Sequence, residues 1–156
     1  MVDPYRVLDL TDHRGQLASQ MLNTLGADVL LVEPPGGSSV RSMGPFAGDT
    51  PHPERSLPFV AWNRGKRSTV LDLGTPAGVE RLTELARRAD VVIESGAAPV
   101  DLAALRAANP ALVTISISAY GTTGPKAAWP ATDLTAHAAA GQLLMTGDED
   151  RPPVRT

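Results

Sequence analysis

The chain contains no cysteine. Disulfides, thiolate nucleophiles and zinc–thiolate sites are therefore excluded, and the composition suits a reducing compartment. Its first residues, "MVDPYRVLDLTDH", lack the basic segment and long apolar core of a secretory leader. No stretch approaches the roughly 18 consecutive apolar residues of a membrane span, and the expectation is a cytoplasmic protein away from membranes. Positive charge is not in excess: 14 Lys and Arg face 17 Asp and Glu, for a formal net charge of −3. That balance argues against a general nucleic-acid binder. Lysine is scarce, with only Lys66 and Lys126 present. Also missing are G-x-G-x-x-G and G-x-x-x-x-G-K-[ST]; the first strand-to-helix turn, "LTDHRGQLAS", holds the single glycine Gly15. Without closely spaced glycines the backbone cannot approach a pyrophosphate in the dinucleotide-binding manner, so an NAD-dependent activity is not expected even though Glu33 ends the second strand. No cluster of metal-ligating residues stands out, and no metal is expected.

What is present is an alternation of short apolar runs and helical periodicity over 156 residues, enough for one domain of ordinary size. Strands are expected at 6–10, 28–32, 69–73, 91–93 and 112–118. A helix from Gly15 places Leu17, Ala18, Met21, Leu22 and Leu25 on one face, with Gln16, Ser19, Gln20 and Asn23 opposite. Gly26 closes it, since positive φ after a helix favours glycine. The Pro-, Gly- and Ser-rich stretch from 33 to 58 reads as a long loop. Thr75 and Pro76 mark a helix start, continuing to about Ala89 and burying Val79, Leu82, Leu85 and Ala86. Asp101 caps a short helix that stops before Asn109-Pro110, and an Ala-rich helix covers 133–144. Strands that are apolar on both faces and joined by helices predict a Rossmann-like α/β fold, a parallel sheet with helices on both sides.

Chemistry-bearing residues are few. His13 lies in the first strand-to-helix loop, where such sheets take their ligands. His52 and His137 read as structural. Asp133 reads as a helix N-cap, and Asp148, Glu149 and Asp150 as a solvated acidic turn. The unusual feature is "WNRGKRSTVLDLG", which gathers Arg64, Lys66 and Arg67 at the start of one strand. Those cations suit a phosphate-bearing ligand; equally, Arg64 and Arg67 would serve as braces paired with carboxylates.

The segments "VLDLT", "LGADVLLVEPPGG", "NRGKRSTVLDLGTPAG", "ADVVIE", "LRAANPALVTISISAYGTTGP" and "DLTAHAAAGQLLMTGDEDRPPVRT", in this order, resemble the amino-terminal portion of the family III CoA-transferases. The resemblance covers nearly the whole chain, so 1–156 is expected to be part of that family's large domain, without its small domain and returning segment. It implies transfer of CoA from an acyl-CoA to a carboxylate acceptor through an aspartyl intermediate, a covalent route. It further implies that the strand around Leu71 and Leu73 lines the pocket for the adenine end of CoA, with Arg64, Lys66 and Arg67 beside it. His13 and Arg14 match the family's first CoA-holding loop, although "DHRGQLAS" is shorter and lacks a proline. Ser95 and Gly96, in "ESGAAP", stand where the family carries an amide and an aromatic residue, with no arginine following.

The aspartate nucleophile of the family falls a few residues beyond Thr156 by spacing, so no catalytic residue is expected within 1–156. Asp148 and Asp150 precede that position. Thr132 occupies the place of the histidine in the racemase branch, which disfavours racemase chemistry. The expectation is a transferase whose active unit is a homo-oligomer or includes a complementing chain carrying the aspartate. The alternative is a catalytically inactive, CoA-transferase-like binding or scaffold subunit.

Overall fold

A computed structural model describes residues 4–147 and 150–151. The chain divides into two compact units, Met1–Ile117 and Ser118–Thr156. In the first unit the elements are β1 (Arg6–Leu10), α1 (Gln16–Thr24), β2 (Asp28–Glu33), α2 (Leu57–Asn63), β3 (Arg67–Val70), α3 (Pro76–Ala86), β4 (Val91–Glu94), α4 (Leu102–Ala108) and β5 (Val113–Ser116). The five strands form one sheet in the order β3-β2-β1-β4-β5, with every pairing parallel. This is the expected Rossmann-like α/β architecture. β1 is central, and the chain passes to one side of it for β2 and β3, then to the other for β4 and β5.

Parallel register places matched residues on the same face. Leu8 lies beside Leu30 and Val92, on the face where Leu8, Leu10, Val32 and Val92 pack with Leu82, Ala86, Leu105 and Leu112. This is the larger core, closed by α3 and α4. Thr75 starts α3 as expected, its hydroxyl accepting from the Gly78 amide at 3.2 Å, and Pro76 occupies the first helical position. Asp101 caps α4 by accepting from Ala103 N and Ala104 N at 2.9 and 3.0 Å. α3 ends at Ala86, where Arg87 forms the cap, and Val79 faces solvent rather than the core.

The opposite face departs further from the sequence pattern. Val7, Val29 and Ile93 pack there with Leu22 and Ala27, but Asp9 shares that face, between Leu31 of β2 and Ile93 of β4. A fully buried carboxylate needs polar partners, and α1, turning its polar side inward, supplies one of them in Ser19. Gln16 and Ser19 are fully buried, whereas Leu17, Met21 and Leu25 are exposed. The helix forms where expected, but apart from Leu22 it is the polar side that turns to the sheet.

Three boundaries also move. The stretch read as loop contains α2, whose cap is the Ser56 hydroxyl accepting from Phe59 N at 3.2 Å. Pro58 stands in its first turn, the same start signal as Thr75-Pro76. β3 begins two residues early and stops at Val70 because Asp72 folds the chain into a turn: its carboxylate accepts from Gly74 N and its carbonyl from Thr75 Oγ. β5 is shorter than its apolar run, covering Val113–Ser116.

In the second unit, Tyr120 and Trp129 meet edge to face with ring centroids 6.5 Å apart, and the Lys126 ammonium lies 5.4 Å from the Trp129 ring. Then comes α5 (Asp133–Ala139), capped by Thr132 rather than Asp133: Thr132 Oγ1 accepts from Thr135 N, and Thr135 Oγ1 accepts from Thr132 N. The Ala-rich helix does not continue to 144. Gly141 adopts φ 78° and hands the chain to a 3₁₀ turn over Gln142–Met145. No helix among the described residues is long and apolar enough to cross a membrane.

Candidate functional site

In an open parallel sheet the crevice lies at the carboxyl ends of strands, where successive connections diverge to opposite sides. Here that point falls between β1 and β4. The loop Thr11–Gly15 leaves β1 and the turn Ser95–Gly96 leaves β4, so His13, Arg14, Ser95 and Gly96 share one sheet edge. A reciprocal clasp joins the two segments. Asp12 N donates to Ser95 Oγ at 3.0 Å, and Ser95 Oγ donates to Asp12 Oδ1 at 3.0 Å. Ser95 is buried, and Gly96 at φ 72° turns the chain away. Glu94 fastens the turn from below, accepting from the Gly96 amide and from the Ser116 hydroxyl.

Arg14 folds back on Asp12, donating from Nη2 at 2.8 Å and from Nε at 3.0 Å, while its side chain stays half exposed. Burial opposes ionisation of Asp12, yet the hydrogen bonds from Arg14 and Ser95 outweigh it and hold the carboxyl below its ordinary value. The same contact raises the Arg14 guanidinium further. His13 is exposed, with Nδ1 3.8 Å from Asp12 Oδ2. The edge thus carries a half-exposed Arg14–Asp12 ion pair and an exposed imidazole on an anchored backbone. Leu71 and Leu73 follow the carboxyl end of β3, and both side chains, partly buried, pack against the larger core.

The cationic turn lies elsewhere. It precedes β3 and therefore sits at the amino edge of the sheet, opposite the crevice. Arg67 pairs with Asp28 at 2.6 Å, so for this residue the structure shows the brace. The Arg64 carbonyl accepts from Gln20 Nε2 and Asn23 Nδ2, both at 3.1 Å, tying the turn to α1. Gly65 permits the bend at φ 85°.

Lys66 differs from both. Its side chain is 1% exposed, and its ammonium runs beneath α1 to Asp9 at 2.9 Å. Ser19 Oγ, Asn63 Oδ1 and the Gln16 carbonyl complete the cage at 2.7, 2.9 and 3.0 Å. Burial pulls the Lys66 pKa down and Asp9 opposes the shift. A cation so enclosed has no donor facing a phosphate, which corrects the expectation for Lys66.

The cage continues as one polar network. Asn63 Nδ2 donates to Gln16 Oε1 at 2.7 Å, and Gln16 Nε2 donates to Ser38 Oγ at 2.9 Å and to the Thr11 carbonyl at 3.2 Å. Ser38 N donates to Glu33 Oε2 at 2.9 Å. Arg41 then bridges Glu33 at 2.6 Å and Glu54 at 2.7 Å, stacked 3.8 Å from the Phe59 ring centroid. Arg41 holds the Glu33 carboxyl below its ordinary value. Nothing in the local sequence pattern announces this network, except that Asp9 is a charged residue inside an apolar strand.

The remaining candidates are accounted for individually. His52 Nδ1 accepts from Glu54 N at 3.1 Å, a structural role. His137 lies 3.4 Å from Asp133 across one helical turn. Asp150 is 3.9 Å from Arg151, and Asp148 and Glu149 lie outside the described residues. No group of three or more metal-ligating side chains occurs among the described residues.

A doubly wound parallel sheet with a side-chain clasp at its central switch point defines a Rossmann-like α/β domain. The profile of CoA-transferase family III matches residues 3–156, and the chain belongs to that family. It is 37% identical over 157 residues to the succinyl-CoA:(R)-benzylsuccinate CoA-transferase subunit BbsE of Thauera aromatica, covering 97% of this chain and 38% of that protein. It is 40% identical over 150 residues to the succinate–glutarate CoA-transferase of Agrobacterium fabrum, covering 90% and 38%. A crystal structure of a CAIB/BAIF family protein from Brucella suis superposes with a TM-score of 0.85 at 35% identity, covering 99% of this chain and 43% of that one. The chain thus spans about two-fifths of the length of these relatives.

Proposed function

We propose that this chain supplies the acyl-CoA-binding edge of a CoA-transferase, moving CoA from an acyl-CoA to a carboxylate acceptor together with a segment or partner chain that carries the aspartate nucleophile. The Asp12–Ser95 clasp across the β1/β4 switch point carries this reading. It holds two sequence-distant segments in one fixed edge and leaves the Arg14 guanidinium and His13 imidazole accessible. CoA bears a pyrophosphate and a 3′-phosphate, and a guanidinium recognises such groups with directional, charge-assisted bonds. The backbone around Leu71 and Leu73 is the proposed rest for the adenine end. Lys66 is omitted from the ligand contacts because it is enclosed, and Arg67 because it starts β3 at the amino edge of the sheet, away from the crevice.

In the reaction, the aspartate carboxylate attacks the acyl-CoA thioester and expels CoA thiolate, leaving an acyl–aspartyl anhydride. The thiolate then attacks the aspartyl carbonyl, forming an aspartyl-CoA thioester and releasing the donor carboxylate. The acceptor carboxylate repeats the two steps in reverse order. Throughout, CoA must stay bound while its sulfur changes partner, and the proposed contribution of this edge is to retain it. The cited relatives are named transferases, which favours an enzyme over a scaffold.

Calorimetric titration of CoA into this chain and its Arg14→Ala variant tests the reading. Loss of one charge-assisted contact, about 1.5–3 kcal/mol, should weaken CoA by about tenfold or more. Equal affinity of the two proteins would remove Arg14 from the site.

A further inference from the structure

The geometry points to Lys66 as a positioning residue for the ligand-facing turn Thr11–Gly15, acting through Asp9 and Gln16 from the opposite edge of the sheet. The two oxygens of Asp9 have separate duties. Oδ2 is held by Lys66 and by the Ser19 hydroxyl. Oδ1 faces the turn, accepting from Thr11 N at 3.0 Å and from Thr11 Oγ1 at 2.6 Å. Fixing Oδ2 fixes the rotation of the carboxylate, and with it the direction in which Oδ1 meets Thr11. Gln16 supplies the second hold. Its Nε2 donates to the Thr11 carbonyl, and its own carbonyl accepts from Lys66 Nζ. Thr11 is therefore gripped at its amide, hydroxyl and carbonyl, by two residues that both touch the same ammonium.

The turn leaves little slack to absorb a shift. A Cβ added at Gly15 would stand 2.6 Å from Thr11 Cγ2 and 3.0 Å from Ile117 Cδ1. Asp12 follows Thr11 directly, and its amide must meet Ser95 Oγ for the clasp to close. The compact ammonium suits this cage: four acceptors lie within 2.7–3.0 Å of one nitrogen, which a planar guanidinium fork would not match. Enclosed in this cage, Lys66 contributes nothing to the charge that a ligand meets. Its effect on CoA, which rests on the function proposed above, is expected to be indirect.

Hydrogen–deuterium exchange read by mass spectrometry, on residues 11–15 and on β4, provides the test. The chain is compared with the double variant Asp9→Asn/Lys66→Met and with Thr11→Val. The double variant removes both buried charges together and leaves no unpaired carboxylate. Thr11→Val leaves the ion pair intact and cuts only the hydroxyl contact to Asp9. In both variants the amides of 11–15 should exchange at least about tenfold faster, with β4 amides within about twofold of the parent chain. Parent-like protection of the turn in the double variant would overturn the proposal and reduce Lys66 to a neutraliser of Asp9. Equal loosening of β4, or a turn already unprotected in the parent, would overturn it as well. Titrating CoA into the same proteins separates the two readings. A loosened turn with unchanged CoA affinity refutes the ligand edge and leaves the positioning standing, whereas a loosened turn with weakened CoA supports both.

Discussion

Removing the Arg41 guanidinium should reveal how strongly the long segment between β2 and α2 is tied to the sheet. Glu33, the last residue of β2, is 3% exposed, and Arg41 covers it at 2.6 Å with its own side chain 17% exposed. In Arg41→Ala the carboxylate keeps only the Ser38 amide and Ser68 as partners, and the stacking contact with Phe59 disappears. Breaking one side of a buried pair costs about 3–5 kcal/mol, since the surviving charge remains desolvated. For a chain of this size each kcal/mol lowers the melting temperature by about 2–4 °C, so a fall of about 6–20 °C is expected at pH 7. The sign of the pH dependence follows from Glu33. Its folded pKa is depressed by Arg41, so its stabilisation is present above the unfolded carboxyl value of about 4.3 and fades as pH falls through the folded value. Without Arg41 that contribution is absent, and protonation relieves the isolated carboxylate. The gap between parent and variant should therefore narrow below about pH 4. Asp12 and Asp90, also depressed, titrate in both proteins and cancel in the difference. Circular dichroism melts across this range provide the measurement. A loss under about 1 kcal/mol at pH 7, or a gap that stays constant with pH, would refute the buried-pair account.

The inward polar side of α1 predicts an unusual order of sensitivity. Ser19→Ala should cost about 1–3 kcal/mol in urea unfolding by stripping a partner from Asp9 and Lys66, while Leu17→Ser should stay within about 0.5 kcal/mol; the reverse order would contradict the orientation of the helix. Arg67→Ala should change stability by no more than about 1 kcal/mol, because its partner Asp28 lies at the surface, and a larger loss in the same assay would assign that brace a buried role. Leu71→Glu should lower the melting temperature, because the Leu71 side chain packs against the larger core and the variant would carry a charge into it, and an unchanged melt would remove Leu71 from that core.

The centre of the sheet was legible from sequence because β1, β2 and β4 are largely apolar, buried runs of strand length, and because Thr75-Pro76, Asp101 and Asn109-Pro110 mark helix ends through local backbone chemistry. The same local rule applied at Ser56 and Pro58 would have found α2, which the surrounding Pro and Gly concealed. The facing of α1 was not legible. It follows from the contact between Asp9 and Lys66, 57 positions apart, and a helical wheel carries no information about such a partner. The site divides in the same way. His13 could be placed at the ligand-facing edge because it lies in a strand-to-helix loop, whereas Arg14, Ser95 and Gly96 were singled out only through the family resemblance. The role of the cationic turn could not be read, since charge in a sequence does not reveal whether its carrier points outward, as Arg64 and Arg67 do, or inward like Lys66.

The position of β1 at the centre of the sheet also sets an order of events during synthesis. β1, β2 and β3 emerge consecutively and can pair as they leave the ribosome, but the other side of β1 stays open until β4 follows. Asp12 meets Ser95 only when residues 83 positions apart come together, and closing a loop of that length is slow relative to local pairing. The crevice therefore comes into existence late, as the two halves of the sheet join. A ligand that recognises this edge would bind the joined state and not its predecessor, and would stabilise the protein in proportion to the logarithm of its concentration. Supply of such a ligand during refolding should raise the yield of native chain by drawing forward the step at which an unpaired edge of β1 is otherwise free to seek strands of other molecules.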